Sequence, residues 1–381
     1  MNAITSQVRA LYTEADEEGR RKLQTDLRDL QTSLDTDWSI VIRLSSGMLT
    51  MSLVKIGSDL HIFETLSGSQ QSFKLGDLAA TTGASRGLLG HLLRASAAFG
   101  LISETDKDEF SANRLTKALA NVNVAGAIEH AFDVHASVAL ALPSYFKERK
   151  YQDVTSNLDL AFHKALNTDL PPFEWMKQHP EQMKSLGHAM AMQREGHWID
   201  SYPVEEEVGT FSPTADSALL VDIGGGFGQQ AAAFKNRFPS LPGRILVQDI
   251  AETLDHAPQI TGIDFQVQDF FQPQAIIGAK FYYLRHILHD WTDDDSVRIL
   301  KSIVPAMGPK SRIVIDEIVL PDKDVPWQAA YMDLTMMGSL GGVERTKSEY
   351  EAILDRAGLK LVGIHKYDPK LQSVILAVPK Y

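Results

Sequence analysis

Residues 218–250 read ALLVDIGGGFGQQAAAFKNRFPSLPGRILVQDI. An apolar run of strand type meets a cluster of glycines. A segment with helical character follows from Gln229, and then a second β-rich run begins at Gly243. Strand, glycine turn, helix, strand is a βαβ unit, and its crossover makes the two strands parallel. Five more β-rich runs lie beyond it: GIDFQVQDF, KFYYLRHI, SRIVIDEIVL, LKLVGIHKY and SVILAVPK. Strands alternating with helices predict an α/β fold built on a parallel, doubly wound sheet.

In such sheets ligands bind beyond the carboxyl ends of the strands. The residues just past each strand are therefore the first candidates for a site. Gly224, Gly226 and Gly228 follow the first strand as G-x-G-x-G. Glycines there permit a tight turn and a close approach of backbone to ligand. The third glycine comes one residue earlier than in the dinucleotide pattern, which favours a nucleoside without a pyrophosphate. Asp249 follows the second strand, where an acid can bind ribose hydroxyls; a turn or helix-cap role is the alternative. Asp269 and Phe270 follow the third strand. The acid can accept from an adenine amino group and the ring can cover the base, or the aspartate simply closes a turn.

The fourth strand runs into YYLRHILHDWTDDDSVRIL, residues 282–300. Thr292 with Asp295 three residues on matches a helix-capping pattern, which accounts for the acidic run. It leaves His289 unexplained, next to the expected crevice. A metal site from His286, His289 and Asp290 lacks a clean ligand spacing. His289 is read as a general base. Glu317 ends the fifth strand on the same rim, and Glu344 precedes the helix KSEYEAILDRAG. A carboxylate beside an imidazole fixes its tautomer and stabilises its charged form. The alternative for Glu344 is a charge placed near a helix N-terminus.

The first half of the chain reads differently. Leu23, Leu27, Leu30 and Leu34 recur at helical spacing. The stretch WSIVIRLSSGMLTMSLVKIGSDLHIFETL is apolar enough that it must be buried or pack on a partner, so a dimer interface is expected. KLGDLAATTGASRGLLGHLLRASAAFGLI, then GLISETDKDEFSANRLTKAL, reads as helix, turn, helix, hairpin, helix: a winged-helix pattern. The helix in the recognition position carries only two arginines and the chain has a net charge of -12, so a structural or dimerising role is favoured over DNA binding. Residues 125–212 read as helices rich in aromatic residues, Met and His, either core or the lining of a pocket for a bulky ligand.

An apolar fraction of 44% and a charged fraction of 23% are those of an ordinary soluble protein with a sizeable core. The absence of cysteine excludes disulfides and thiolate chemistry. No uninterrupted apolar run reaches the roughly 18 residues of a membrane span. No secretory signal core or lipidation motif is read, and a cytoplasmic location is expected.

Four stretches carry a family resemblance: LVDIGGGFG, LRHILHDWTDDDSVRIL, IDEIVLPD and GGVERTKSEYEAIL. With ALNTDLPPFEWMKQHPEQM, they resemble the S-adenosylmethionine-dependent O-methyltransferases of the plant caffeate type, and most of all their fungal relatives in secondary metabolism. The resemblance implies a helical and winged-helix dimerisation domain over 1–120 and a helical linker contributing to the substrate pocket over 121–212. It implies a Rossmann-like catalytic domain over 213–381. Asp222, the three glycines, Asp249, Asp269, Phe270 and Arg285 would hold S-adenosylmethionine, and no metal is implied. His289 would be the base, bracketed by Glu317 and Glu344. Phe132, His135, Phe173, Trp175, Met176, Met190, Trp198, Asp290, Met332 and Met336 would line the acceptor pocket. The acceptor would be a phenolic or enolic small molecule, and the assembly a homodimer with neither nucleic acid nor membrane as partner. Gln229 and Gln230 depart from the family, where many members have a histidine after the glycine loop. The alternative on this scaffold is a pericyclase or dehydratase that uses bound S-adenosylmethionine as a fixed positive charge, with His130 and His135 as acid/base groups.

Overall fold

The computed structural model describes residues 2–192, 198–209, 211, 217–368 and 372–380. The chain divides into two compact units, Met1–Leu140 with Pro172–Glu195, and Ala141–Pro171 with Gly196–Tyr381. The expected linker 121–212 is thus shared between both units. Its expected boundary at 212 and 213 lies outside the described residues.

The first unit opens with helices Asn2–Glu14, Glu17–Leu34 and Asp37–Asp59. Asp16 and Thr36 cap the second and third by accepting from backbone N–H groups of the first turn. The leucine stripe of Glu17–Leu34 has no buried residue. On the next helix Trp38, Leu44 and Leu49 are exposed, and only Leu53, Val54 and Gly57 are buried. This 23-residue helix is long and apolar enough, by length and composition, to cross a membrane. Arg43, Lys55, serines, glycine and threonine interrupt its apolar run, as read, without making the helix polar overall.

The winged-helix pattern forms as read. Strand β1, Phe73–Lys74, leads into helices Leu75–Thr82 and Arg86–Ala98. Gly83, at φ +72°, ends the first, and the Ser85 side chain caps the second. Strands β2, Ser103–Asp106, and β3, Glu109–Ser111, make the hairpin, and the antiparallel sheet has the order β1-β3-β2. Phe63, Leu66, Leu78, Leu89 and Phe110 fill the core beneath it.

The second unit holds the large sheet. Its strands are β4 Ala218–Ile223, β5 Arg244–Asp249, β6 Asp264–Val267, β7 Phe281–Arg285, β8 Arg312–Glu317, β11 Leu359–Lys366 and β12 Ser373–Pro379. Two short strands, β9 Val319–Leu320 and β10 Arg345–Thr346, pair in parallel beside it. The sheet order is β11-β12-β8-β7-β4-β5-β6. Strands β6, β5, β4, β7 and β8 are parallel, as expected. β12 is antiparallel to both β8 and β11. The last two runs have no crossover helix between them, so they form a hairpin, which corrects the all-parallel reading. β4 is buried along its whole length because helices cover both faces, which is why it reads as a continuous apolar run. The strand order reverses at β4, between β5 and β7. A crevice opens at such a switch point.

Candidate active site

The glycine turn sits at the carboxyl end of β4. Gly224, Gly226 and Gly228 have φ of +67°, +57° and +77°, a region that side chains disfavour. Gly226 N–H donates to Asp249 Oδ2 at 2.9 Å, and Ile250 N–H to Asp249 Oδ1 at 2.8 Å. The turn and the acid after β5 are therefore one piece. No atom lies within 4 Å of where a Gly226 Cβ would stand, so the turn faces open space. A Cβ on Gly224 would stand 2.5 Å from Ile287 Cδ1, which seats the glycine turn directly against the segment after β7. Asp269 Oδ1 accepts from Phe271 N–H at 2.9 Å, so it closes its own turn. Phe270 packs edge-on against Phe271 and Trp291. An open backbone cradle, an acid beside it and an aromatic ring at the next strand end fit a nucleoside.

Asp222 lies behind this surface. It is 2% exposed, and a Cβ on Gly225 would collide with its carboxylate. Burial, opposed by a hydrogen bond from Ala231 and the charge of Arg285, raises its pKa to about 7. It lies against the turn at Gly225, and its buried Oδ2 has no hydrogen-bond partner among the described residues. Arg285 is turned toward Asp316, with Nε at 3.9 Å from Oδ2. Asp316 also accepts from Tyr283 and Tyr367 hydroxyls at 2.5 and 2.6 Å.

His289 sits in a single 3-10 turn, Leu288–Asp290, before the helix Asp293–Ile303 that Thr292 caps. Its Nδ1 is 2.8 Å from Glu344 Oε1. The Glu344 side chain is fully buried, and an ionised carboxylate only accepts, so Nδ1 carries the proton. Asp290 Oδ1 lies 3.4 Å from Nε2. Burial pushes the His289 pKa down, but Asp290, then the bond to Glu344, then the charges of Glu344 and Glu317 raise it to about 10. Burial raises Asp290 to about 7, against the pull of His289. Burial also raises Glu344, with His289 opposing. The three buried groups thus titrate as a coupled set.

Glu317 does not bracket the ring. Its Oε1 accepts from the N–H groups of Ile287, Leu288 and His289 at 3.0, 2.6 and 3.3 Å. Its Oε2 accepts from Tyr350 hydroxyl at 2.8 Å. This corrects the catalytic expectation: the carboxylate fills a nest of backbone donors, and holds the turn rather than the imidazole. His286, at φ +51°, accepts at Nε2 from Gln372. Burial, then the charges of His289 and Arg285, keeps its pKa well below the ordinary value. Among the described residues no cluster of three or more metal-ligating groups occurs.

The expected pocket residues divide between the units. Phe132, His135, Phe173, Trp175, Met176 and Met190 belong to the first; Trp198, Asp290, Met332 and Met336 belong to the second. His135 lies in a π-helical turn, Ala131–Ala136, where burial and the nearby His130 lower its pKa to about 4. Trp175 stacks on His179 at 3.7 Å, and Phe173 and Met190 are exposed. Met176 is buried at 5% exposure, a core position rather than a pocket wall. Trp198 is corrected too. It is 1% exposed and stacked on Tyr283 and Phe234, so its faces belong to the core beneath the sheet. Met332 and Met336 share one face of the helix Trp327–Ser339, half-buried. The same helix places Asp333, whose Oδ1 accepts from Glu344 N–H at 3.0 Å.

Residues 151–360 match an O-methyltransferase domain, and residues 42–121 an O-methyltransferase dimerisation domain. Demethylsterigmatocystin 6-O-methyltransferase of Aspergillus parasiticus is 50% identical over 100% of this chain and 98% of its own length. O-methyltransferase okaF of Penicillium ochrochloron is 45% identical over the full length of both. Among solved structures, one described as a pericyclic reaction enzyme has 34% identity and a TM-score of 0.93, covering 100% of this chain and 99% of the other. The structure of LepI in complex with SAM has 34% identity and a TM-score of 0.93, covering 100% of this chain and 98% of that one. With the glycine turn, Asp249 and the His289–Glu344 pair gathered at the switch point, the chain belongs to the S-adenosylmethionine-dependent O-methyltransferase family of fungal secondary metabolism.

Proposed function

We propose that the protein methylates a phenolic or enolic hydroxyl of a secondary metabolite, with His289 as general base, and works as a homodimer. The observation that carries this reading is the buried His289 Nδ1–Glu344 Oε1 contact of 2.8 Å, beside the glycine turn. When bound, S-adenosylmethionine supplies an electrophilic methyl group on a sulfonium. The glycine turn, Asp249, Asp269 and Phe270 would hold it.

The chain's own residues manage the proton. Glu344 keeps Nδ1 protonated, which aims the Nε2 lone pair at the acceptor. Against its burial, the carboxylates around His289 raise its pKa, so the ring holds firmly a proton that it accepts. Asp290 Oδ1, 3.4 Å from Nε2, favours the imidazolium that forms when Nε2 takes a proton. Nε2 then accepts the proton of the acceptor hydroxyl. The acceptor oxygen, relieved of its proton, would be the nucleophile toward that methyl group. Base catalysis contributes roughly 10²–10⁴-fold, and correct positioning about 7–11 kcal/mol, so positioning is the larger effect.

The exposed Trp38, Leu44 and Leu49, in or beside the matched dimerisation segment, support a second copy as their cover. The likeness to a pericyclic reaction enzyme supports the second reading, in which the ring-forming chemistry needs no base. A buried His–Glu pair ready to move a proton favours methyl transfer. Mass spectrometry of the protein with methyl-labelled S-adenosylmethionine decides between them. The first acceptor is demethylsterigmatocystin, the compound in the Aspergillus parasiticus relative's name, followed by other phenols. A labelled product that disappears in His289→Ala is expected. Cofactor binding with only unlabelled, rearranged product would overturn the proposal.

A further inference from the structure

The turn that carries His289 has almost no freedom left in its backbone. On one side, Glu317 Oε1 takes the N–H groups of Ile287, Leu288 and His289. Tyr350 hydroxyl, on the helix Lys347–Arg356, fixes the other Glu317 oxygen at 2.8 Å. On the opposite side stands Arg345, 0% exposed. Its Nη1 donates to Leu288 O at 2.9 Å, and its Nη2 to Trp291 O at 3.0 Å. Its Nε donates to Asp293 Oδ1 at 2.9 Å, on the first turn of the helix that follows. On the third side Gly342 lies flush against the turn: a Cβ there would stand 1.8 Å from His289 O.

We propose that Arg345, Tyr350 and Gly342 are positioning residues for His289, a clamp that fixes the turn so that the ring meets Glu344 in one geometry. This rests on His289 being the base. Glu344 and Arg345 are neighbours: one side chain holds the ring and the next holds the carbonyls either side of it. The parallel β9–β10 pair fixes that segment, because Arg345 pairs with Val319 two residues beyond Glu317. The fork of Arg345 reaches two carbonyls and a carboxylate at once, which a lysine ammonium at the same place cannot do. A ring displaced by about 1 Å loses roughly 10²-fold in rate without losing its chemistry.

The test follows the His289 ring itself. Protein labelled with ¹³C-histidine is titrated by NMR, with the His289 Cε1–H signal assigned by its loss in His289→Ala. The wild type should titrate well above ordinary histidine. In Arg345→Lys the midpoint should fall by about one pH unit or more, because Glu344 is no longer in line. Tyr350→Phe should fall less, in the same direction. Where methyl transfer is measured, Arg345→Lys should lower kcat roughly 10²-fold with acceptor KM within about threefold. Midpoints equal to wild type in folded variants, judged by unchanged near-UV circular dichroism, would overturn the clamp. If Arg345→Lys does not fold, an unmoved midpoint in Tyr350→Phe overturns it alone. The titration needs no acceptor, so a wild type that transfers no methyl would defeat the proposed function and leave the clamp to be judged on its own result.

Discussion

The turn Leu288–Asp290 and the helix Asp37–Asp59 stand at opposite extremes. The turn's Leu288 and His289 N–H groups meet Glu317 of β8, which Tyr350 of the helix Lys347–Arg356 fixes in turn, and the Leu288 carbonyl meets Arg345 of β10. The helix satisfies its own backbone, but leaves Trp38, Leu44 and Leu49 exposed. One region is over-determined by its own chain, and the other leaves apolar surface uncovered within a matched dimerisation domain. Chemistry needs the first condition, since a base out of place is no base. Association needs the second, since apolar surface covered within the chain offers nothing to a partner.

The contrast can be broken at its strongest point first. His289→Ala should reduce methyl transfer by about 10²–10⁴-fold. Calorimetry should find cofactor affinity within about threefold of wild type, because the ring is not part of the glycine turn. Lost cofactor binding would mean that His289 is a binding group.

Glu344→Gln comes next. The folded pKa of His289 is raised from 6.5 to about 10, so the stability it contributes is complete below 6.5 and disappears as pH rises through 10. Without the carboxylate the raised value should fall by about 1–3 units. The alkaline loss of thermal stability should then shrink. The acid limb of kcat/KM should move to lower pH by the same amount, with a lower plateau. Identical pH profiles for the two proteins would separate Glu344 from the base.

Gly342→Ala tests close approach instead of charge. The new methyl must displace the His289 carbonyl, at a cost of about 1–3 kcal/mol in the melting of the catalytic unit. A melting curve unchanged from wild type would show that the turn yields easily.

Leu44→Ser should do the least to a single chain, within about 0.5 kcal/mol, because the side chain is exposed. Its effect should appear in sedimentation velocity as a shift from dimer to monomer. A dimer that ignores this change and Leu49→Ser would place the interface elsewhere.

Much of this was legible before any coordinates. The alternation of strands and helices gave the sheet, and strand ends gave the rim. Thr292 capped its helix as read, which left His289 as the residue still needing an explanation. Glu317 shows where that reasoning stops. A strand end fixes the position of a residue but not which atoms its carboxylate meets, and here it meets backbone. Trp198 misled because a tryptophan beside a pocket and one beneath a sheet have the same one-letter neighbourhood. Its stacking on Tyr283 exists only in three dimensions. The clamp did leave a trace, in GGVERT. Both glycines belong to the family likeness, and Gly342 also has a steric reason: no side chain fits against the His289 carbonyl.

That rigidity decides how the enzyme can be re-engineered. A tool that cannot turn works only on what is brought to it. The oxygen to be methylated is chosen by how the acceptor is seated, and the base does not swing to find it. Changes of regiochemistry should therefore be sought in the walls proposed to seat the acceptor, with Met332 and Met336 of the helix Trp327–Ser339 as the first to vary. The five residues from Gly341 to Arg345 should be moved between scaffolds as a single cassette.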